Sequence, residues 1–264
     1  MVMKIQNPKL TIGIIPARFA STRFPGKLLA DLRGKPVLQW TWEAALKAKL
    51  LDRVVIAAGD KKIFDAAKGF GAEVVKVFGD VPSGSDRVWR AYQMRNAECG
   101  MRNDEADIIV NIQGDEPMLD PRTVDAVVRQ LQKDPQAGVG TAVARIKSKP
   151  EFENPSVVKV VMTADHRVLY FSRSPIPNGW TPKSEIRNPK SEMAFRHIGI
   201  YAYRREALER FVKTPPSPLE LTEQLEQLRL LEAGTIYTAV EVKSAGIAVD
   251  TEGDLGRVRG LIKR

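Results

Sequence analysis

The chain has 264 residues, 43% of them apolar, with one cysteine and two histidines. That is enough apolar material for one full core across residues 1–264, and it excludes an internal disulfide framework and a Cys/His zinc cluster, leaving oxygen ligands for any metal. Its 41 basic against 32 acidic residues leave a charge of +9, which suits a nucleic-acid footprint, a funnel for small polyanions or a solvated basic surface, although no aromatic-rich RNA-binding signature accompanies it.

In chain order, residues 10–15 predict a buried first strand ending at Pro16, and residues 36–48 a helix with proline at its start. A second strand at 53–58, a helix at 61–70 and a third strand at 73–77 follow. Next come a helix at 86–99, a strand at 106–112 and a helix at 121–133 with Asp120 as its N-cap. This alternation is the pattern of parallel βαβ units. Beyond residue 140 the pattern changes, and the β-rich segments 157–162, 168–172 and 196–203 predict a smaller lobe inserted over about 140–205. Residues 177–192, rich in proline, serine, asparagine and charge, predict a mobile loop. Residues 219–233 predict one amphipathic helix stopped by Gly234, followed by a strand near 247–249 and a helix from about Glu252. The expected fold class is α/β, a mostly parallel Rossmann-like sheet flanked by helices in a single domain. No apolar run is long enough to cross a bilayer, and residues 1–8 lack the features of a secretory signal. A cytoplasmic protein without membrane insertion is expected, and no nucleic-acid partner.

Three stretches carry chemistry. The loop Pro16-Ala17-Arg18-Phe19-Ala20-Ser21-Thr22-Arg23-Phe24-Pro25-Gly26-Lys27 follows the first strand, where α/β folds bind nucleotides. Its cations and hydroxyls can surround a triphosphate, and it is not a Walker A loop, because Lys27 is followed by leucine. The alternative is a basic surface loop that binds nothing. Asn111-Ile112-Gln113-Gly114-Asp115-Glu116-Pro117 ends another strand at the same edge, so its carboxylates either ligate Mg²⁺ or cap the helix that follows. Val249-Asp250-Thr251 offers the same choice, and spacing alone favours Asp250 as a cap.

These stretches, with Tyr170-Phe171-Ser172-Arg173, Arg196-His197-Ile198-Gly199-Ile200-Tyr201 and Leu225-Glu226-Gln227-Leu228-Arg229, follow in order from about residue 11 to about residue 260. Together they closely resemble the 3-deoxy-manno-octulosonate (Kdo) cytidylyltransferase family, the CMP-Kdo synthetases of lipopolysaccharide assembly. The resemblance implies a nucleotide-diphospho-sugar transferase-like fold and transfer of CMP from CTP to the anomeric hydroxyl of a Kdo-type acid, with pyrophosphate released. An acylneuraminate-type cytidylyltransferase is the alternative, since the first loop is common to both. The resemblance further implies Mg²⁺ held by Asp115 and Asp250, triphosphate held by Arg18, Ser21, Arg23 and Lys27, and a homodimer. It places Ala58, Asp60, Gly84, Ser85 and Arg87 around the cytidine. Gln113, Arg173, His197, Tyr201, Glu226 and Gln227 fall around the sugar acid. Two departures stand out: Ala58-Gly59-Asp60 where the family often has Ala-Thr-Asp, and Ser85-Asp86 where it often has Thr before an acid.

Overall fold

Alternation along the first strand, β1 (Thr11–Ala17), sends Ile12 and Ile14 into one apolar cluster and Ile15 and Ala17 into another, so both faces of the sheet are covered. The computed structural model describes residues 10–99, 106–180, 194–243 and 246–262. After β1 come a 3₁₀ turn (Lys27–Leu29), the short hairpin β2 (Asp31–Leu32) and β3 (Lys35–Pro36), and α1 (Val37–Ala45). Then follow β4 (Arg53–Ala58), α2 (Lys61–Gly69), β5 (Glu73–Lys76), α3 (Gly84–Cys99), β6 (Ile108–Asn111) and α4 (Pro121–Lys133). The second half runs β7 (Val139–Arg145), α5 (Lys149–Glu153), β8 (Lys159–Met162), β9 (Val168–Ser172), β10 (Phe195–Arg204) and α6 (Arg205–Lys213). It closes with α7 (Pro218–Glu223), α8 (Gln227–Glu232), β11 (Tyr237–Glu241) and α9 (Glu252–Leu261).

The sheet order is β11-β7-β10-β6-β1-β4-β5, with β10 antiparallel to β6 and β7 and the remaining neighbours in that order parallel. This is the α/β class expected. The β-rich stretch at about 140–205 contributes β7 and β10 to the main sheet, and the β8–β9 pair hangs from the start of β10. The chain leaves β1 toward β4 on one side and reaches β6 on the other, so a crevice opens at the carboxyl ends of β1 and β6. Strand β1 does not end at Pro16. Ile112 N donates to Ile14 O and Gly59 N to Ala17 O, so Pro16 turns its nitrogen to the β6 side. Pairing with β6 has already stopped at Ile14↔Asn111, and no ladder bond is lost to the proline.

Two further expectations are corrected. Residues 219–233 are not one helix: Gln224 adopts a left-handed conformation (φ 54°) and separates α7 from α8. Arg229 pairs with Glu220 at 2.6 and 2.7 Å, both side chains buried. In a straight helix nine residues would span about 13.5 Å, so the pair and an uninterrupted helix are incompatible. No strand forms at 247–249, where a single bond from Val249 N to Asp115 O (2.8 Å) ties the chain down, and β11 supplies the strand earlier. Residues 181–193, most of the expected mobile loop, lie outside the described residues, as do residues 1–9. No helix among the described residues is long and apolar enough to cross a membrane.

Candidate active site

The loop after β1 is stiff for local reasons. Gly26 takes a left-handed conformation (φ 72°) that a side chain would strain, and its N–H donates to Phe19 O at 3.1 Å, closing the loop on itself. Asp60 anchors the same loop, accepting from Phe19 N at 2.6 Å, while its other oxygen caps α2 at Ile63 N. The loop forms one wall of a cavity of about 760 Å³ at the β1/β6 crevice. Arg18, Ser21, Arg23, Lys27, Gly84 and Arg87 all line it, as do Gln113, Asp115, Glu226 and Asp250.

The ambiguity over the carboxylates is resolved by which residues act as caps. Asp120 caps α4, and Thr251 caps α9 in a capping box with Asp254, so neither Asp115 nor Asp250 is used that way. The Val249–Asp115 backbone bond instead sets the two aspartates side by side. Both converge on Lys27 Nζ, at 2.5 Å from Asp115 and 2.8 Å from Asp250, and Arg23 reaches Asp250 at 3.0 Å. Burial works to lower the Lys27 pKa, but the charges and hydrogen bonds of the two aspartates outweigh it and leave it raised. Burial also lifts Glu116, beside Asp115, to a pKa of about 7; Asp115 adds to the shift and Arg196 opposes it. Among the described residues no three His, Cys, Asp or Glu side chains form a metal cluster. Two carboxylates sharing one cation position nevertheless form a hard donor pair, which phosphate and water can complete around Mg²⁺.

The chain matches the Cytidylyltransferase family over residues 12–242. It is 43% identical to the 3-deoxy-manno-octulosonate cytidylyltransferase of Geobacter sulfurreducens, covering 95% of this chain and 98% of that one. The protein of the same name from Geotalea daltonii is also 43% identical, over 95% and 97% of the two chains. The chain belongs to the 3-deoxy-manno-octulosonate cytidylyltransferase family. A solved structure of CMP:2-keto-3-deoxy-manno-octonic acid synthetase complexed with CTP superposes with a TM-score of 0.84 at 39% identity, over 96% of this chain and 98% of that one. A Leptospira borgpetersenii cytidylyltransferase, at 16% identity and a TM-score of 0.62, shares the fold.

Within this cytidylyltransferase, the remaining residues singled out from sequence fall into two groups. Gln113 and Glu226 line the cavity, and burial raises the Glu226 pKa against the opposing charge of Arg229. His197, Tyr201 and Gln227 lie on β10 and α8 without lining it. His197 Nε2 is 3.0 Å from Thr141 Oγ1, and burial lowers its pKa to about 3, so the ring is neutral. Tyr201 packs against His197 and Tyr203, and burial, then the neighbouring Tyr203 and Glu226, lift its pKa well above 10.0. The Arg173 guanidinium is held away from the cavity by the carbonyls of Glu223 (2.9 Å), Pro155 (3.1 Å) and Gln224 (3.3 Å). On the nucleotide side, Ala58 is fully buried in β4 and does not line the cavity. Ser85 is buried toward Asn111 and Tyr203, at 3.3 and 3.5 Å. Val81, Pro82 and Ser83 form a further part of the wall that was not among the residues singled out from sequence. Its available signal was the proline–serine–glycine turn at the entry to α3, where Ser83 bonds Asp86 at 2.6 Å.

Proposed function

We propose that this enzyme transfers CMP from CTP to the anomeric hydroxyl of a Kdo-type sugar acid and releases pyrophosphate, supplying the activated sugar for lipopolysaccharide biosynthesis. The observation that carries the reading is the convergence of Lys27, Asp115, Asp250 and Arg23 in a cavity that Arg18 also lines. Bringing a carboxylate sugar to a triphosphate opposes like charges, and Arg18, Arg23 and Lys27 offset that repulsion where charge develops on the phosphates. Asp115 and Asp250 hold Mg²⁺, which supplies further neutralisation of the phosphate oxygens when bound. Gln113 and Glu226 face the same space and are placed to hydrogen-bond sugar hydroxyls. His197, Tyr201 and Gln227 complete that pocket from behind. Arg173 reaches a sugar carboxylate only by giving up the Glu223 and Gln224 carbonyls, so its part requires movement of the β8–β9 region against α7. No histidine lines the cavity, and the attack rests on orientation and electrostatics.

The enzyme works as a cytoplasmic homodimer in this reading, supported by the exposed leucines Leu169 on β9 and Leu219 and Leu221 on α7. The test is pyrophosphate release with CTP and Mg²⁺ over a panel of sugar acids. Kdo or its close 8-amino variant is expected to turn over, with N-acetylneuraminate slower by a factor on the order of 10⁴. Equal turnover of the nine-carbon acid would overturn the substrate, and no release with any acid would overturn the reaction.

A further inference from the structure

Arg229 is a buried arginine that the proposed reaction does not use. Its Nε and Nη2 donate to Glu220 at 2.7 and 2.6 Å, and its Nη1 reaches the carbonyls of Phe211 and Thr214 at 3.4 and 3.5 Å. The guanidinium also lies 4.2 Å over the Phe211 ring. One side chain thereby ties the end of α6 to α7 and α8. Glu220 is itself fixed, because it forms a capping box with Ser217 at the start of α7. A planar fork held from so many sides keeps one orientation.

The position held in this way stands one turn after Glu226, whose carbonyl accepts from Arg229 N at 3.1 Å. Glu226 precedes α8, two residues after the left-handed Gln224, and its side chain opens on the cavity. Residues three apart on a helical turn are neighbours. The Glu220 hydrogen bonds outweigh burial and raise the Arg229 pKa, and the charges of Asp86 on α3 and of Glu226 add to the rise. Of these three carboxylates, Glu220 is matched by the fork and Asp86 accepts from Ser83 Oγ at 2.6 Å. Glu226 is the one that lines the cavity.

We infer that Arg229 is a positioning residue for the sugar acid: clamped by Glu220, it fixes the turn that aims Glu226 into the cavity and sets a buried positive charge beside it. That charge opposes the burial that lifts Glu226 toward protonation, and so favours a carboxylate that accepts from a sugar hydroxyl. Apolar residues of similar volume often replace a buried ion pair without loss of stability. A fixed charge next to Glu226 is what such residues would not supply.

This inference rests on the proposed reaction, so wild-type pyrophosphate release with CTP, Mg²⁺ and the sugar acid is measured first. No release would overturn both, whereas release with an unmoved sugar KM in the variants overturns this inference alone. Arg229→Met is expected to raise the KM for the sugar acid about tenfold or more, the size of a lost charge-assisted contact. The KM for CTP stays as in the wild type, because Ser83 and Asp86 cap the entry to α3 without Arg229. An equal rise for both substrates would mean general loosening and overturn the proposal. The pair variant Glu220→Leu with Arg229→Met leaves no buried partner unpaired, so its urea midpoint is expected to recover while the sugar KM stays raised. Recovery of both would show that the pair only holds the helices together. In a Glu226→Gln background, Arg229→Met adds little further to the sugar KM, and full additivity would detach the effect from Glu226. If these variants are too unstable to assay, Glu220→Gln, which loosens the fork and keeps the guanidinium, must raise the sugar KM alone; an unmoved value overturns the proposal.

Discussion

The two ends of the cavity are built on opposite principles. At the phosphate end, charges from three distant stretches meet, the 18–27 loop, Asp115 and Asp250, and Asp250 and Arg23 remain partly accessible. At the proposed sugar end, the groups are neutral or shielded: Glu226, which lines the cavity, is pushed toward protonation by burial, and behind the wall His197 is uncharged and Tyr201 keeps its proton. Binding a triphosphate needs countercharge that can exchange partners when the ligand and its cation arrive. Lys27, spanning two aspartates, is such a group. Distinguishing one sugar acid from another needs fixed donors and acceptors whose burial makes an unmade hydrogen bond costly.

That contrast is broken most directly at the carboxylates. Asp115→Asn and Asp250→Asn are each expected to lower kcat by roughly 10²–10³-fold, with the far-UV spectrum unchanged, since neither side chain caps a helix. Normal Mg²⁺-dependent turnover in both variants would remove the metal from this end. A smaller effect is expected from Lys27→Ala, which removes contacts worth about 1.5–3 kcal/mol and so raises the KM for CTP roughly 10- to 150-fold. The KM for the sugar acid should move little, and steady-state kinetics varying each substrate in turn separates the two ends.

The smallest effect sharpens the contrast from the sugar side. The His197 pKa is about 3 in the folded chain against 6.5 for a free ring, so between those values the unfolded chain binds more protons than the folded one. Stability therefore falls as pH drops through that window and is not affected by this group above it. Because the ring is only half-buried by surface exposure, the loss is discounted to about 1–2 kcal/mol. His197→Asn should flatten the acid limb of urea midpoints measured from pH 7 to pH 4. An unchanged limb would mean that the ring charges freely in place. The phosphate end shows the reverse sign: the raised Lys27 pKa contributes stability that is complete below 10.5 and is lost as pH rises through the folded value.

Much of the first half of the fold was legible because its signals are local. The 53–58 strand, the 121–133 helix and the Asp120 cap appear at the expected residues. The nucleotide loop was legible for a similar reason, since its cations, proline and glycine are contiguous. The broken helix at 218–232 was not, because apolar spacing continues across Gln224 and only the Glu220–Arg229 pair reveals the turn. Nor was β11 found, since its buried positions do not alternate and its strand character comes from pairing with β7. At the sugar end, the sequence marked His197, Tyr201 and Gln227 by resemblance, but nothing local tells a residue behind a cavity wall from one that lines it.

Asp250 shows where the two sources of information divide. Periodicity, turn chemistry and capping preferences act over a few residues, so sequence alone determined the α/β alternation, the stiff cationic loop after β1 and a helix beginning near Glu252. The role of Asp250 depended on an atom 135 positions away along the chain, the Asp115 carbonyl that receives Val249 N–H. Thr251 took the cap, the backbone bond brought the second aspartate to the first, and Lys27 closed the set. Only tertiary structure decides such a contact, because its partners are selected by how strands and loops stack in space and leave no periodic trace in the chain.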